Sequence, residues 1–237
     1  MKIIGFIGAF DKTNFIMYTA KLLQLLNYKV LVVDSSSIQK MRYIIPTINP
    51  TKSYVTDFEN MDFAIGFDNW QSVINYLGIE EDFELDNGEE NTDNNPYDYV
   101  LIDVDSPEKL EGFELENAYK NYFVTSFDSF NLKKGMSILE SISNPISLTK
   151  ILFSYELRRE DEEYLNNLIF GYNVDWNKYT MYFHILGDDN KVFEENQRLE
   201  RIKFRKLSME YKESLSYVIQ DINKDENKSK LKRIMKD

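Results

Sequence analysis

The chain of 237 residues contains no cysteine and a single histidine, His184. The first absence excludes disulfides and thiolate metal sites. The second excludes zinc centres built on several imidazoles. A Ser-His-Asp triad has only His184 to draw on, and that residue lies in an apolar run at 181–186, where a packed core histidine is the expectation. Glycine and proline are scarce too, at 9 and 5 residues. No stretch approaches the roughly 20 apolar residues that a bilayer-spanning helix requires. Residues 1–10 hold one lysine and no small-residue cleavage site, so they read as a short buried strand and not as a signal peptide. A cytoplasmic location is the expectation that follows.

What is present is enough apolar material for one sizeable core: 43% hydrophobic and 14% aromatic residues. The net charge of −12 is unevenly placed. Residues 198–237 carry 12 Lys/Arg against 7 Asp/Glu, leaving 16 against 33 in residues 1–197. An acidic body repels nucleic-acid phosphates, so strong nucleic-acid binding is not expected, and only the basic end could meet a polyanion. Between Gly78 and Asn95, eight acidic residues stand with no Lys or Arg. The plain reading is a solvated loop, and the sharper one a partner-docking loop.

Apolar patterning predicts the elements. Lys2 to Ile7 is a compact apolar run ending at Gly8. Phe15, Tyr18, Thr19, Leu22, Leu23, Leu25 and Leu26 then form a broad apolar helical face. Val30 to Val33 is a fully apolar strand ending in Asp34. Strand, helix and strand within about 35 residues make a βαβ unit, and continuous apolar strands imply a parallel sheet covered on both faces. Further strands are predicted at 97–104, 121–125, 150–153 and 180–185. Helices are predicted at 70–77, 132–143 and 159–170, with a long one from about 192 to 222. Residues 35–57 read as irregular and 223–237 as a lysine-rich, frayed tail. The predicted fold class is α/β: a mainly parallel twisted sheet with helices on both faces, one domain over 1–222 and a basic C-terminal tail over 223–237.

The chemistry-bearing residues fall at strand ends. A strand that feeds a loop capping the next helix can hold phosphates with backbone N–H groups and the positive helix end. A lysine then reaches the outer phosphates, and the following Ser/Thr holds magnesium. Here Gly8-Ala9-Phe10-Asp11-Lys12-Thr13-Asn14 occupies that place, although it is poor in glycine. Asp34 and Asp103 each end a strand at the carboxyl edge of the predicted sheet, where ligands sit in such folds. From that edge they could orient a magnesium ion and a water.

Lys12, Thr13, Asp34 and Asp103, in this order and context, resemble the ParA/MinD family of deviant Walker ATPases, including its pilus-associated TadZ and CpaE branch. Members of that family read Lys-Gly-Gly-Val-Gly-Lys-Thr-Thr, then Val-Leu-Leu-Ile-Asp-x-Asp, then Tyr-Asp-x-Ile-Ile-Ile-Asp. Tyr28-Lys-Val-Leu-Val-Val-Asp34 and Tyr97-Asp-Tyr-Val-Leu-Ile-Asp103 match the last two locally. The likeness extends to about Arg201, where 182–189 resembles the late Ile-Pro-x-Asp strand and the helix after it. It implies a P-loop NTPase-like, three-layer α/β/α fold. It also implies a nucleotide site built on Gly8, Asp11, Lys12, Thr13, Asn14, Asp34 and Asp103. Thr13, Asp34 and Asp103 would face magnesium if Mg-nucleotide is bound.

The departures from the pattern are chemically distinct. Ile7 stands where the family has the signature lysine that reaches across a dimer. Ala9 and Asp11 replace loop glycines, and Ser36 replaces the second Asp of Asp-x-Asp. Ser154 falls near the usual base-reading Asn. If the loop needs positive φ at position 11, an aspartate there is strained. Its charge would also oppose a phosphate, unless Asp11 turns outward to cap the helix. The resemblance with these losses implies a pseudo-ATPase scaffold that requires no cofactor and binds ATP with Mg weakly if at all. It would be a homodimer acting through protein partners at a secretion, pilus, conjugation or plasmid-positioning machine. The alternatives are an active Mg-ATP-dependent ATPase and a DNA-partition protein. Leu231, Ile234 and Met235, set among Lys228, Lys230, Lys232, Arg233 and Lys236, faintly resemble a MinD-type membrane helix. That would give weak contact with the inner membrane face through 228–237.

Overall fold

Lys2–Ile7 forms strand β1 and runs, through the loop around Gly8, into helix α1 (Thr13–Leu25), in a computed structural model that describes residues 1–47, 51–79, 95–156 and 159–236. Strand β2 (Val30–Asp34) follows, buried at every position. A hairpin of β3 (Tyr54–Phe58) and β4 (Met61–Ile65) and helix α2 (Trp70–Leu77) complete the first half. The second half runs β5 (Tyr99–Val104), α3 (Pro107–Gly112), β6 (Lys120–Ser126), α4 (Ser129–Glu140), β7 (Ile146–Ser154), α5 (Arg159–Leu168) and β8 (Val174–His184). Helices α6 (Gly187–Arg198), α7 (Met209–Ile222) and α8 (Lys228–Ile234) close the chain.

The described strands form one eight-stranded sheet in the order β3-β4-β2-β5-β1-β6-β7-β8. Every pairing is parallel except β3 with β4. Strand alternation sends Ile4, Phe6, Val30 and Val32 to one face with α1, α6, α7 and α8. Ile7, Leu31, Val33, Val100 and Ile102 go to the other with α2, α4 and α5. This is the α/β sheet covered on both faces that the apolar runs imply. An all-buried strand such as β2 is stable only under cover on both sides.

Several expectations are corrected. Residues 35–57 are not irregular throughout: Lys40–Tyr43 is a 3-10 turn and Tyr54–Phe58 is β3. The turn joining β3 to β4 places Glu59 and Asn60 at φ 56° and 62°, the left-handed pair of a tight hairpin turn. The long helix expected over 192–222 is two helices, with residues 199–208 between them. Glu200 is left-handed there (φ 47°), and Ser208 caps α7 by accepting a hydrogen bond from the Tyr211 N–H at 3.1 Å. His184 is only half-buried, at the end of β8, and not a core residue. The acidic stretch falls at 80–94, outside the described residues.

The basic end is not frayed. Asn227 caps α8 by accepting the Ser229 N–H at 2.7 Å. Leu231 and Met235 are buried in the cluster that also holds α1 and α7 residues. The apolar side that could meet a bilayer is therefore spent on the core. Among the described residues, no helix is long and apolar enough to cross a membrane.

Candidate functional site

Parallel pairing brings the predicted residues together. Asp34 on β2 and Asp103 on β5 are register partners at the carboxyl ends of adjacent strands, and Ile7 of β1 pairs with Val104 beside them. The chain leaves β1 at Gly8, whose φ is +137°. A Cβ there would stand 2.2 Å from the Val124 carbonyl oxygen, so both conformation and space demand glycine. The loop then turns back to start α1 over the same edge.

Lys12 and Thr13 are buried, at 2% and 3% exposure. The Lys12 ammonium lies 2.9 Å from Asp103 Oδ1. It also donates to the carbonyl of Gly8 and, at 3.3 Å, to that of Phe10. Asp103 Oδ1 itself accepts no hydrogen bond of good geometry, so its contact with Lys12 is mainly charge on charge. Burial pushes the Asp103 carboxyl up to about 7, with the Lys12 ammonium pulling it down and Asp34 pushing the same way as burial. Burial raises Asp34 as well, against the hydrogen bonds it receives.

Those bonds involve two residues of interest. Asp34 Oδ1 accepts the Ser36 hydroxyl at 2.6 Å and the Ser36 N–H at 3.1 Å. Asp34 Oδ2 accepts the Met41 N–H at 3.0 Å. Ser36 thus anchors the loop after β2. Sequence reasoning missed the rest of that anchor. Ser37 donates through its N–H and hydroxyl to Asp105, at 2.9–3.0 Å. The Lys40 ammonium meets Asp11 Oδ2 at 2.6 Å. Nothing local in the sequence pairs Lys40 with Asp11, because the contact is made by the fold.

Asp11 is not strained. Its φ is not among the positive values, so the condition for strain is not met and the capping alternative is the one found. The loop takes another path, and Asp11 Oδ1 accepts the Thr13 N–H at 3.1 Å in the first turn of α1. Burial works against its charged form, but the bonds from Lys40 and Thr13 hold the carboxyl below the usual range. Asn14 accepts from Gln197 of α6 at 3.0 Å. Ser154 ends β7 and donates to the Glu156 carbonyl at 2.6 Å.

By sequence, neither a family model nor a curated protein matches the chain. Solved structures do match in shape. A Borrelia burgdorferi B31 protein described as a plasmid partition protein, bound to AMPPNP, superposes at TM-score 0.63 with 14% identity, over 95% of this chain and 99% of that one. The MinD cell division protein of Aquifex aeolicus gives 0.57 at 13% identity, over 96% and 98%. A ParA family ATPase of Chlorobium tepidum TLS gives 0.52 at 14%, over 97% and 95%. The chain has the ParA/MinD fold. At these identities the fold is what is shared.

At the loop of residues 8–14, groups that could meet a nucleotide's phosphates are engaged within the chain itself. A carboxylate holds an N–H of the α1 amino end, and the lysine ammonium is turned onto carbonyls of its own loop and onto Asp103. Both Asp34 oxygens are taken by protein donors. Among the described residues no group of three or more His, Asp or Glu could hold a metal by itself. Ile7 is wholly buried in the core cluster beside Leu31 and Val33, so a lysine there would have to leave the core to reach anything.

Proposed function

We propose that this chain is a degenerate member of the ParA/MinD family that works as a non-hydrolysing scaffold or positioning factor. It acts as a homodimer through protein partners. The observation that carries this reading is the Asp11 carboxylate, bonded to the Thr13 N–H and paired with Lys40. It puts a fixed negative charge where a phosphate-binding loop presents bare N–H groups. Like charges about 4 Å apart repel by roughly 1 kcal/mol in water and several-fold more in a partly closed site. ATP with Mg therefore binds weakly at best, and none is required. The machine served, whether a secretion, pilus or conjugation apparatus of the TadZ and CpaE kind or a plasmid, is taken from family analogy. The acidic body argues against a DNA coat.

A working Mg-ATP-dependent ATPase is the second reading. The meeting of Lys12, Thr13, Asp34 and Asp103 at one sheet edge favours it, as does the AMPPNP held by a protein of the same fold. A calorimetric titration with ATP, with and without magnesium, and a steady-state turnover assay decide between them. Turnover at background and weak or absent binding are expected. Steady turnover that vanishes in Lys12→Ala overturns the scaffold reading.

A further inference from the structure

Strand β7 sends Ile146, Leu148 and Leu152 to the sheet face covered by α4 and α5, and Ile151 and Phe153 to the other. Lys150 falls on the first face by the same period of two. It is only 7% exposed, so a cation occupies a slot that the pattern reserves for an aliphatic side chain. Its ammonium donates to Asn166 Oδ1 at 2.8 Å and stands 5.8 Å from the centre of the Trp176 ring. No described carboxylate forms an ion pair with it. Glu162 supports its charge from farther away, but that carboxylate is engaged by the Thr180 hydroxyl at 3.2 Å and by the Tyr182 hydroxyl. Burial accordingly drives the Lys150 ammonium below the ordinary lysine value. A buried cation is costly unless a counter-charge meets it.

A cavity of about 340 Å³ opens against this lysine. Ile169, Tyr172, Val174 and Trp176 supply its apolar wall, and Lys150 and Asn166 its polar end. The indole N–H of Trp176, which also lines the cavity, is buried with no acceptor. A mainly apolar cleft with a few polar groups is the general form of a small-ligand site. One lysine neutralises one negative charge, which favours a monoanion over a phosphate dianion.

We propose that this cavity binds a small monocarboxylate with an apolar or aromatic body, its carboxylate on Lys150 and its body against Trp176. The site is separate from the loop at residues 8–14, because β7 lies two strands from β1. It does not depend on how that loop treats nucleotide.

Phenylacetate serves as the probe and phenylacetamide as its neutral isostere. Both are titrated calorimetrically into the full chain, while the two indole N–H resonances are followed by NMR. Trp176→Phe assigns the peaks. Saturable phenylacetate binding that moves the Trp176 resonance and leaves the Trp70 resonance in place is expected, with phenylacetamide at least tenfold weaker. Lys150→Met should bind both probes alike, and Lys150→Gln repeats the test should the methionine variant misfold. Equal binding of the two probes by the natural chain overturns the proposal. So does unchanged phenylacetate affinity in either folded variant, or a Trp176 resonance that never moves.

Discussion

Lys12 and Asp103 face each other across 2.9 Å, with their side chains 1% and 3% exposed. Removing one member of a buried pair leaves the other as an uncompensated charge, which costs about 3–5 kcal/mol when no relief is open to it. Here relief is open, because Asp103 can take up a proton near neutral pH.

The stability of the natural chain should therefore fall as pH rises. The Asp103 carboxyl is raised from 3.8 to about 7 on folding. Between those values the folded chain holds a proton that the unfolded chain has released. Unfolding then releases that proton, and higher pH favours it, with a slope approaching about 1.4 kcal/mol per pH unit from this one group. Asp34 is raised too and acts in the same direction. Urea melts from pH 5 to 7.5 on the natural chain and on Asp103→Asn check this. The difference between the two curves should slope across that window, and a flat difference refutes the titration.

Lys12→Ala should cost more at pH 8 than at pH 5.5. Without the ammonium the Asp103 carboxyl titrates higher still, because the one nearby cation that lowers it is gone. Below that point the variant buries a neutral acid, and above it a bare charge. We expect a loss of about 1–2 kcal/mol at the lower pH and about 3 kcal/mol or more at the higher. Paired denaturant melts measure it, and a pH-independent loss would show that Lys12 acts only through its carbonyl contacts.

Asp11→Asn isolates charge from capping. The amide oxygen can still accept the Thr13 N–H, so stability should change by less than about 1 kcal/mol. The negative charge and the Lys40 ion pair are lost. Since the pair is exposed, its loss matters little to the fold. Affinity for Mg-ATP should rise about three- to tenfold, the equivalent of roughly 1 kcal/mol of removed repulsion. Titration calorimetry reads the change, and equal affinity in both proteins would show that the Asp11 charge does not oppose the nucleotide. A lysine placed at Ile7 is a poor companion change, since that position lies wholly inside the core.

The parts legible from sequence are those written in continuous apolar runs. Val30 to Asp34 and Tyr99 to Val104 need cover on both faces, so their burial, their parallel pairing and the placing of their aspartates follow from composition alone. Strands β3 and β4 were illegible because polar Thr56, Asp57 and Asp62 interrupt them, and the left-handed Glu59 and Asn60 are not glycines. The broken helix between Arg198 and Met209 keeps helix-forming residues throughout. It is interrupted by tertiary bonds, such as Glu59 Oε1 accepting the Ile202 N–H at 3.1 Å. The departures at Ile7, Asp11 and Ser36 could be read as losses. The contacts these positions make, Lys40 on Asp11 and Ser36 on Asp34, are a matter of three-dimensional arrangement.

The last prediction concerns helix α8. Taken as a tail, residues 227–237 could be removed with no thermal cost, and the loss would show only at a membrane. The packing argues otherwise. Leu231 is wholly buried, and Met235 is 1% exposed. The carboxylate of Glu226, itself buried, takes the Tyr28 hydroxyl at 3.2 Å and the Lys230 ammonium at 3.1 Å, tying the start of the helix to the turn after α1. Truncating a buried leucine to alanine costs about 2–5 kcal/mol through lost burial and the cavity left behind. Leu231→Ala should therefore lower stability by about 3 kcal/mol, and deletion of residues 227–237 by more. Lys232→Gln and Arg233→Gln, on the outer side, should change it by less than about 0.5 kcal/mol each. The same packing sets the expectation with lipid. The intact chain should not sediment with anionic liposomes at physiological salt, because reaching the bilayer with Leu231 and Met235 means giving up their place in the core. Sedimentation of the intact chain, together with a deletion variant of unchanged melting temperature, would sink this account and return the segment to the role of a surface anchor.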